Sequence, residues 1–573
     1  MGFLKKYFKH YKKDIFVGQS FKLIEAILEL LLPLVMAALV DGIAGGTTHD
    51  IVMRALLMLL ISAVGVGTAL VCQVTASRAS QSFGTELRHD VFSHITTLSA
   101  ADLEHFGTAG LVTRMTGDIN QLQSALAMLI RLVVRAPFLA IGSIVMAIIL
   151  DINLSVVFLV ATPLICVVIW AVMKASLPYF KRMQKGTDTL GRVTRENLSG
   201  ARVVRAFNAQ QDETTRFNEA AKGYTAVALR SGHLNALLSP ATTIIMDLGI
   251  IAVLLLGGQR AQLGLLSQGI IIAFINYLLQ ILTQTAIVAN LIVLFTKAGA
   301  SAQRIGELLS MKPSIQEAES TEDLDPAAPA VTFDHVSFRY PAGGEDAVHD
   351  ISFTLHKGAS LGIIGGTGSG KSTLASLISR TYDITQGSIR LFGTDIRKVP
   401  LSRLRATVGI VPQHAALFSG SIRDNMRLGN EQAADDEIRA ALKTAQALDF
   451  VEKKPGQLDY VLEEGAKDLS GGQKQRLTIA RALTQKPEVL ILDDSASALD
   501  MRTDSLLRAA LKECDMTRVI ISQRVSAIMD ADQILVLDDG APVGLGTHEQ
   551  LLDTCPVYRE TYLSQTKESG VNA

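Results

Sequence analysis

Cysteine is scarce in this sequence: four in 573 residues, at positions 72, 166, 514 and 555, with no C-x-x-C pair. That excludes a disulfide scaffold and a zinc ribbon. Charge is scarce too. Asp, Glu, Lys and Arg make up 19% of the chain, below the ~25% of an ordinary soluble protein, and so apolar a composition excludes a disordered chain. Neither sign prevails, since 54 Lys+Arg face 55 Asp+Glu for a net charge of -1. A nucleic-acid binder would be basic, so no nucleic-acid partner is expected. The mean hydropathy is nevertheless +0.30, and it is unevenly spread. Apolar runs crowd the first half, and the second half reads as a soluble α/β domain.

A span needs ~20 mostly apolar residues to cross ~30 Å of hydrocarbon. Ala55–Ala76, Ile152–Met173 and Gly269–Thr296 contain no charged side chain, and Leu234–Gly258 carries only Asp247. A further span runs from near Leu126 to Leu150, tolerating Arg131 and Arg135. Ile15–Val40 is the least clean, with Lys22, Glu25 and Glu29 inside it. These make six spans. The start, MGFLKKYFKHYKKD, is basic, as are the two long polar loops 77–124 and 174–233, whereas the short connections are not. By the positive-inside rule both termini and both long loops are cytoplasmic in a multi-pass protein of the cell (inner) membrane. The start lacks the apolar core and cleavage site of a signal peptide. Two readings of it stand: an amphipathic helix on the membrane surface, or a solvated basic tail. The long loops keep helical periodicity (Leu87, Val91, Ile95, Leu98), as continuous helices extending beyond the bilayer would.

The Pro/Glu/Ala-rich stretch KPSIQEAESTEDLDPAAPA reads as a linker. The expected domains are 1–312 in the membrane, a linker at 313–330, and a soluble domain at 331–573. In the last, an apolar strand runs into Gly365, Gly366, Thr367, Gly368, Ser369, Gly370, Lys371, Ser372 and Thr373. This is G-x-x-x-x-G-K-[ST], followed by a helix-forming stretch, the context a P-loop requires. Glycines let backbone N–H groups turn in around phosphate oxygens, and the helix N-terminus adds its dipole. Lys371 would reach the β- and γ-phosphates, and the Ser372 hydroxyl would ligate Mg²⁺. Asp493, closing the apolar run VLILD, would be a second metal ligand.

Between them stands LSGGQ, and here the chain resembles the ATP-binding cassette (ABC) transporters. The resemblance implies ATP and Mg²⁺ as cofactors. Tyr340 matches the aromatic that stacks on adenine, and Gln413 the glutamine that senses Mg²⁺ and the membrane domain. Asp500 closes the loop that crosses to the opposite subunit. Ser470, Gly471, Gly472 and Gln473 match the signature that completes the opposite subunit's ATP site. Six spans followed by one cassette resembles an exporter half-transporter. The implied fold is an all-α six-helix membrane domain, then an α/β P-loop ATPase domain with the family's helical subdomain. The implied activity is an ATP hydrolase coupled to transport. Docking helices of the two long loops are expected near Ser99–Gly107 and Gln210–Arg216. No peptidase domain precedes the spans, so a bacteriocin-processing subtype is not expected.

The sequence departs from the family at two positions. Asp494 stands where the hydrolytic Glu is usual, and Gln523 where the switch His is usual. Asp is one methylene shorter, and a general base must lie within about 2.6–3.2 Å of the proton it takes, or act through a water. Gln is neutral. The resemblance therefore points to a weakly hydrolytic site within a heterodimer, as in bacterial multidrug-type exporters, whose second half-transporter keeps Glu and His. Membrane lipids and a small amphiphilic substrate are the other expected partners. A lipid or siderophore-type exporter and an ATP-gated regulatory subunit are the alternatives. Glu25, Glu29, Asp247 and Asp41 are candidate substrate-pathway residues, since ionisable groups in spans mark function. Against that, Glu25 and Glu29 could lie in a hydrated end of their span, and Asp41 could simply start a loop.

Overall fold

The computed structural model describes residues 2–317, 322–341 and 343–570; of the expected linker, residues 318–321 lie outside the described residues. The chain divides into two compact units, Met1–Thr96 with Thr108–Met311, and Thr97–Gly107 with Lys312–Ala573.

The first unit is all-helical. In chain order, α1 (Leu4–His10) and α2 (Lys12–Gly45) precede α3 (Thr48–Thr97), and α4 (Ala100–Phe106) belongs to the second unit. Then come α5 (Thr108–Thr113), a π-helical turn (Arg114–Asp118), α6 (Ile119–Arg131) and α7 (Arg135–Leu150). The unit closes with α8 (Val156–Ser199), α9 (Ala201–Ala206), α10 (Gln210–Ala236), α11 (Leu238–Gln262) and α12 (Gln268–Ser310). Among the described residues, six helical segments are long and apolar enough to cross a membrane. The 50-residue α3 is about 75 Å long at 1.5 Å per residue, so more than half of it lies beyond any hydrocarbon layer. Its outward Leu59 and Leu70 are exposed, as lipid-facing side chains are.

Shape complementarity holds these helices together. Phe158 of α8 meets Phe274 of α12 edge-on at 5.5 Å between ring centroids. The Tyr277 hydroxyl donates to the Leu30 carbonyl of α2 at 2.7 Å. A Cβ on Gly269 would sit 2.0 Å from the Ala37 carbonyl oxygen, so only glycine lets α12 approach α2 there. The third span breaks at residues 132–134. Pro137 explains the break: it lacks an N–H, and its ring crowds the carbonyl four residues earlier.

The second unit holds a four-stranded antiparallel sheet, β2-β1-β4-β5, formed by β1 (Val331–Phe338), β2 (Val348–Leu355), β4 (Gln386–Leu391) and β5 (Thr394–Asp395). Its main sheet has the order β12-β11-β3-β10-β9-β6. Here β3 is Ser360–Gly365, β6 Val408–Val411, β9 Val489–Asp493, β10 Thr517–Ile521, β11 Gln533–Asp538 and β12 Ala541–Gly546. All neighbours but β11 and β12 pair in parallel. Parallel strands covered on both faces read as unbroken apolar runs, and every residue of β9 is buried. The short β7 (Gly420–Ser421) and β8 (Val461–Leu462) pair beside a helical cluster built on Ile438, Leu442 and Leu477.

Two loop helices were expected to be short. The first is α4, near the expected Ser99–Gly107. Ser99 and Asp102 form a capping box at its start. Ala100 and Ala101 pack on the core of the second unit, and Glu104 accepts from the Tyr382 hydroxyl at 3.2 Å. The second expectation needs correction. Gln210–Arg216 is the start of the 27-residue α10, and the separate short helix is α9. Asn208 takes a left-handed φ of 54° and ends α9, as Asn does at a helix C-terminus. Asp212 and Glu213 then favour a new N-terminus.

Candidate active site

Four parallel strands end on one edge of the main sheet, and each delivers part of the site. Ligands bind outside the carboxyl ends of such strands. β3 runs into the glycine loop, which enters the helix Lys371–Ile378 through Gly370 at φ 89°. A Cβ on Gly370 would lie 2.5 Å from the Ala347 carbonyl, so this turn admits only glycine. β6 leads to Gln413, β9 ends in Asp493 and Asp494, and β10 leads to Gln523. A cavity of about 350 Å³ collects Tyr340, Thr367 to Thr373, Gln413, Asp493, Asp494 and Gln523.

The polar groups in it are tied to one another. Lys371 Nζ donates to the carbonyls of Gly365 at 2.9 Å and Gly366 at 2.5 Å. Burial pulls its pKa down, against the attraction of Asp494 and Asp493. The Ser372 hydroxyl donates to Asp493 Oδ1 at 3.0 Å. Burial also pushes Asp493 above the ordinary carboxylate range, with Asp494 adding repulsion while Ser372 and Lys371 oppose. Asp494 is raised by burial too, opposed by Gln413, Arg524 and Lys371. Gln413 Nε2 approaches Asp494 Oδ2 at 3.4 Å, and Asp494 takes a left-handed φ of 43°. The Tyr340 hydroxyl lies 3.1 Å from Thr373 Oγ1, and its ring meets Tyr382 edge-on. Gln523 is exposed, and its carbonyl accepts from Gln565 Nε2 at 2.8 Å.

The signature stands apart from this cavity. Ser470 caps the helix Gly471–Thr484 by a capping box, accepting from Gln473 N while Gln473 Oε1 accepts from Ser470 N at 3.0 Å. Gly471 is exposed, and Gly472 passes close to the Ala498 carbonyl. Asp500 caps the helix Met501–Lys512 by accepting from Thr503 N at 3.1 Å.

The candidate pathway acids mostly find partners inside the first unit. Glu25 pairs with Lys22 at 2.7 Å and Glu29 with Arg135 at 2.6 Å. Asp41 accepts from Ser267 Oγ at 2.6 Å and Gly269 N at 2.8 Å, holding the start of α12. Asp247 is exposed. Sequence reasoning missed Ala347 in the cavity wall, and also Tyr382 and Gln565 behind it, none of which stands in a motif. Ile521, also in the wall, opens the stretch Ile521–Arg524 that carries Gln523.

Residues 15–285 match the ABC transporter transmembrane region, and residues 348–497 match the ABC transporter family. The chain belongs to the ABC transporters, and its cassette is an ATPase coupled to transport. It is 36% identical over 578 residues to an uncharacterised ABC transporter ATP-binding protein of Mycobacterium tuberculosis, Rv1273c, covering 100% of this chain and 99% of that one. It is 30% identical over 562 residues to the multidrug efflux ATP-binding/permease protein Rv0194 of the same organism, covering 97% of this chain and 47% of that one. A bacterial Atm1-family ABC exporter solved with ATP bound superposes with a TM-score of 0.79 at 26% identity, over 98% of both chains. Within its family, then, this is an ATP-driven exporter half-transporter with the Atm1-family fold, a multi-pass membrane protein. Such exporters work as dimers.

Proposed function

We propose that this chain is one half of a heterodimeric exporter, and that its own nucleotide site hydrolyses slowly while its signature completes the partner's faster site. The observation that carries this reading is that Asp494 and Gln523 line one cavity from the ends of adjacent strands. Where an exporter uses a Glu carboxylate and a His imidazole, this cavity has a carboxylate one methylene shorter and a neutral amide. Asp494 is also drawn toward Gln413. The shorter, tethered carboxylate is poorly placed to act as a base, and the amide cannot supply positive charge to the γ-phosphate.

Mg²⁺ fits the residues present. Ser372 Oγ and Asp493 Oδ1, 3.0 Å apart, are hard oxygen donors on two elements, and Gln413 adds an amide oxygen. Such donors together with substrate phosphates suit Mg²⁺. Tyr340 would stack on adenine, Lys371 would hold the phosphates, and the metal would neutralise charge on the transferring phosphoryl group. The basic start and loops support cytoplasmic termini in the cell membrane. The cargo is a drug-like amphiphile; the kinship with a multidrug efflux protein supports this.

The test is ATPase activity of the purified chain alone and with a co-expressed partner half-transporter that keeps Glu and His. Alone it should bind ATP yet turn it over slowly, and the pair should hydrolyse at a rate stimulated by cargo. Asp494→Glu with Gln523→His should raise hydrolysis at this chain's own site by about 100-fold or more, the range of a positioned base. Brisk ATPase from a homodimer of the unaltered chain would overturn the reading.

A further inference from the structure

The basic start of the chain is an ordered element with two different faces. On one, the Tyr7 hydroxyl donates to Asp90 Oδ2 at 2.7 Å, and the Tyr11 hydroxyl to Glu86 Oε2 at 2.8 Å. His10 and Lys6 pair with the same two acids, at 3.0 and 3.4 Å. The Tyr7 ring is buried edge-on against Phe83. Helix α1 is thus pinned along α3, and Glu86 and Asp90 of α3 are used up on that face.

The other face carries Lys5, Lys9 and Lys12, which rim a groove of about 590 Å³. These three lysines are exposed, and among the described residues their ammonium groups have no acid or hydrogen-bond acceptor. The rest of the groove is mostly apolar, with Phe8, Phe16, Leu126 and Leu129 contributing from α1, α2 and α6. Phe16 is 73% exposed at the start of the first span. A cationic rim therefore adjoins an apolar floor where a span begins, which is headgroup depth.

We propose that this groove is a binding site for an anionic phospholipid. Its phosphodiester sits among Lys5, Lys9 and Lys12, and an acyl chain lies over Phe8, Phe16 and Leu129. Charge complementarity selects the headgroup, because three cations without acids attract a net negative lipid over a zwitterionic one. The apolar floor selects a lipid over a free phosphate. A soluble anion would satisfy the lysines yet leave Phe16 and its neighbours in water, whereas an acyl chain covers them. Lysine stems can also lie along apolar surface while their heads reach the phosphate.

The full-length protein, reconstituted in phosphatidylcholine bilayers with trace spin-labelled phosphatidylglycerol or phosphatidylcholine, gives the relative affinity from the motionally restricted signal. The unaltered protein should prefer phosphatidylglycerol. The triple variant Lys5→Gln, Lys9→Gln, Lys12→Gln should lose the preference, by roughly fivefold for each lysine removed. The matching triple change to Arg should keep it, as should Lys13→Gln, which lies outside the groove. All these side chains are exposed, so the variants fold. An unchanged preference in the triple Gln variant would overturn the proposal. So would an equal loss from Lys13→Gln, which would mean a diffuse basic field. Competition by millimolar soluble glycerol phosphate that removes the preference would also overturn it, by making the groove a site for free anions.

Discussion

Asp493 and Asp494 are neighbours on one strand end, and burial raises both above the ordinary carboxylate range. A carboxyl raised in the folded state contributes stability below its unfolded pKa and loses it as pH climbs through the folded value. The nucleotide domain without ligand should therefore weaken as pH rises out of the ordinary carboxylate range. Asp494→Asn removes one titrating partner. Its melting temperature should exceed the parent's near pH 8, with the gap closing as pH falls into the ordinary carboxylate range. A gap independent of pH, measured by thermal shift without nucleotide, would mean that burial of Asp494 is not costly. Lys371 makes the complementary case. Its ammonium already folds over the glycine loop, within reach of the place where phosphates would lie. Lys371→Ala should weaken ATP binding by about 10- to 150-fold, the worth of one hydrogen bond to a charged group at 1.5–3 kcal/mol. Titration calorimetry with a non-hydrolysable analogue would read this, and a change under threefold would contradict it.

At the scale of elements, α4 is held into the second unit by its own cap. Asp102 is buried at its first turn, and its Oδ2 accepts from Ser99 N and Oγ and from Ser314 N and Oγ, at 2.8 to 3.3 Å. Burial would raise this carboxyl, but those bonds outweigh it and hold the pKa below the ordinary range. Asp102→Ala should strip the cap and the tie to Ser314 together, costing about 2 kcal/mol. Cargo stimulation of ATPase should fall while ATP affinity holds, because Asp102 is not part of the cavity wall. Unaltered stimulation, measured on the reconstituted protein, would separate α4 from coupling. The place of α4, near Ser99–Gly107, was legible from the family resemblance, but its cap by Ser99 and Asp102 emerged only in the fold. Ser314 was not legible, because 212 positions separate it from Asp102 and no motif links them. The six spans were legible for a local reason, as runs of apolar residues. The second short loop helix was misplaced, at Gln210–Arg216 rather than at α9, because Asn208's left-handed turn is one residue's choice of φ, and it leaves no periodic trace.

At the scale of the whole molecule, the cavity was readable because its parts are contiguous motifs, each at the end of a parallel strand. What encloses it was not. Tyr382 acts through packing, and Gln565 by donating to the Gln523 carbonyl and accepting from Val525 N; neither type nor spacing sets them apart. The signature is the converse case: it was plain in the sequence, yet the fold keeps Ser470 to Gln473 out of the chain's own cavity. Ser470 and Gln473 spend their side chains on capping a 14-residue helix. The exposed N-terminus of that helix presents N–H groups and a positive dipole end. In the pair proposed above, a nucleotide held by the other subunit would use it. If the pair is asymmetric as proposed, damage to this signature falls on the partner's site, the faster one. Gly472→Glu would set a carboxylate against the phosphates there, and its Cβ would also press on the Ala498 carbonyl. Ser470→Ala is the gentler change, costing about 1 kcal/mol of cap while leaving the helix in place. In the assembled pair, both should slow ATP turnover at the partner's P-loop while nucleotide still binds at Lys371, Gly472→Glu abolishing transport and Ser470→Ala reducing it. Trapping of labelled ATP, resolved by subunit, distinguishes the two P-loops. Slowing confined to this chain's own P-loop would place the signature's action in cis and remove the basis for the asymmetric pair. Unchanged transport with Gly472→Glu would do the same.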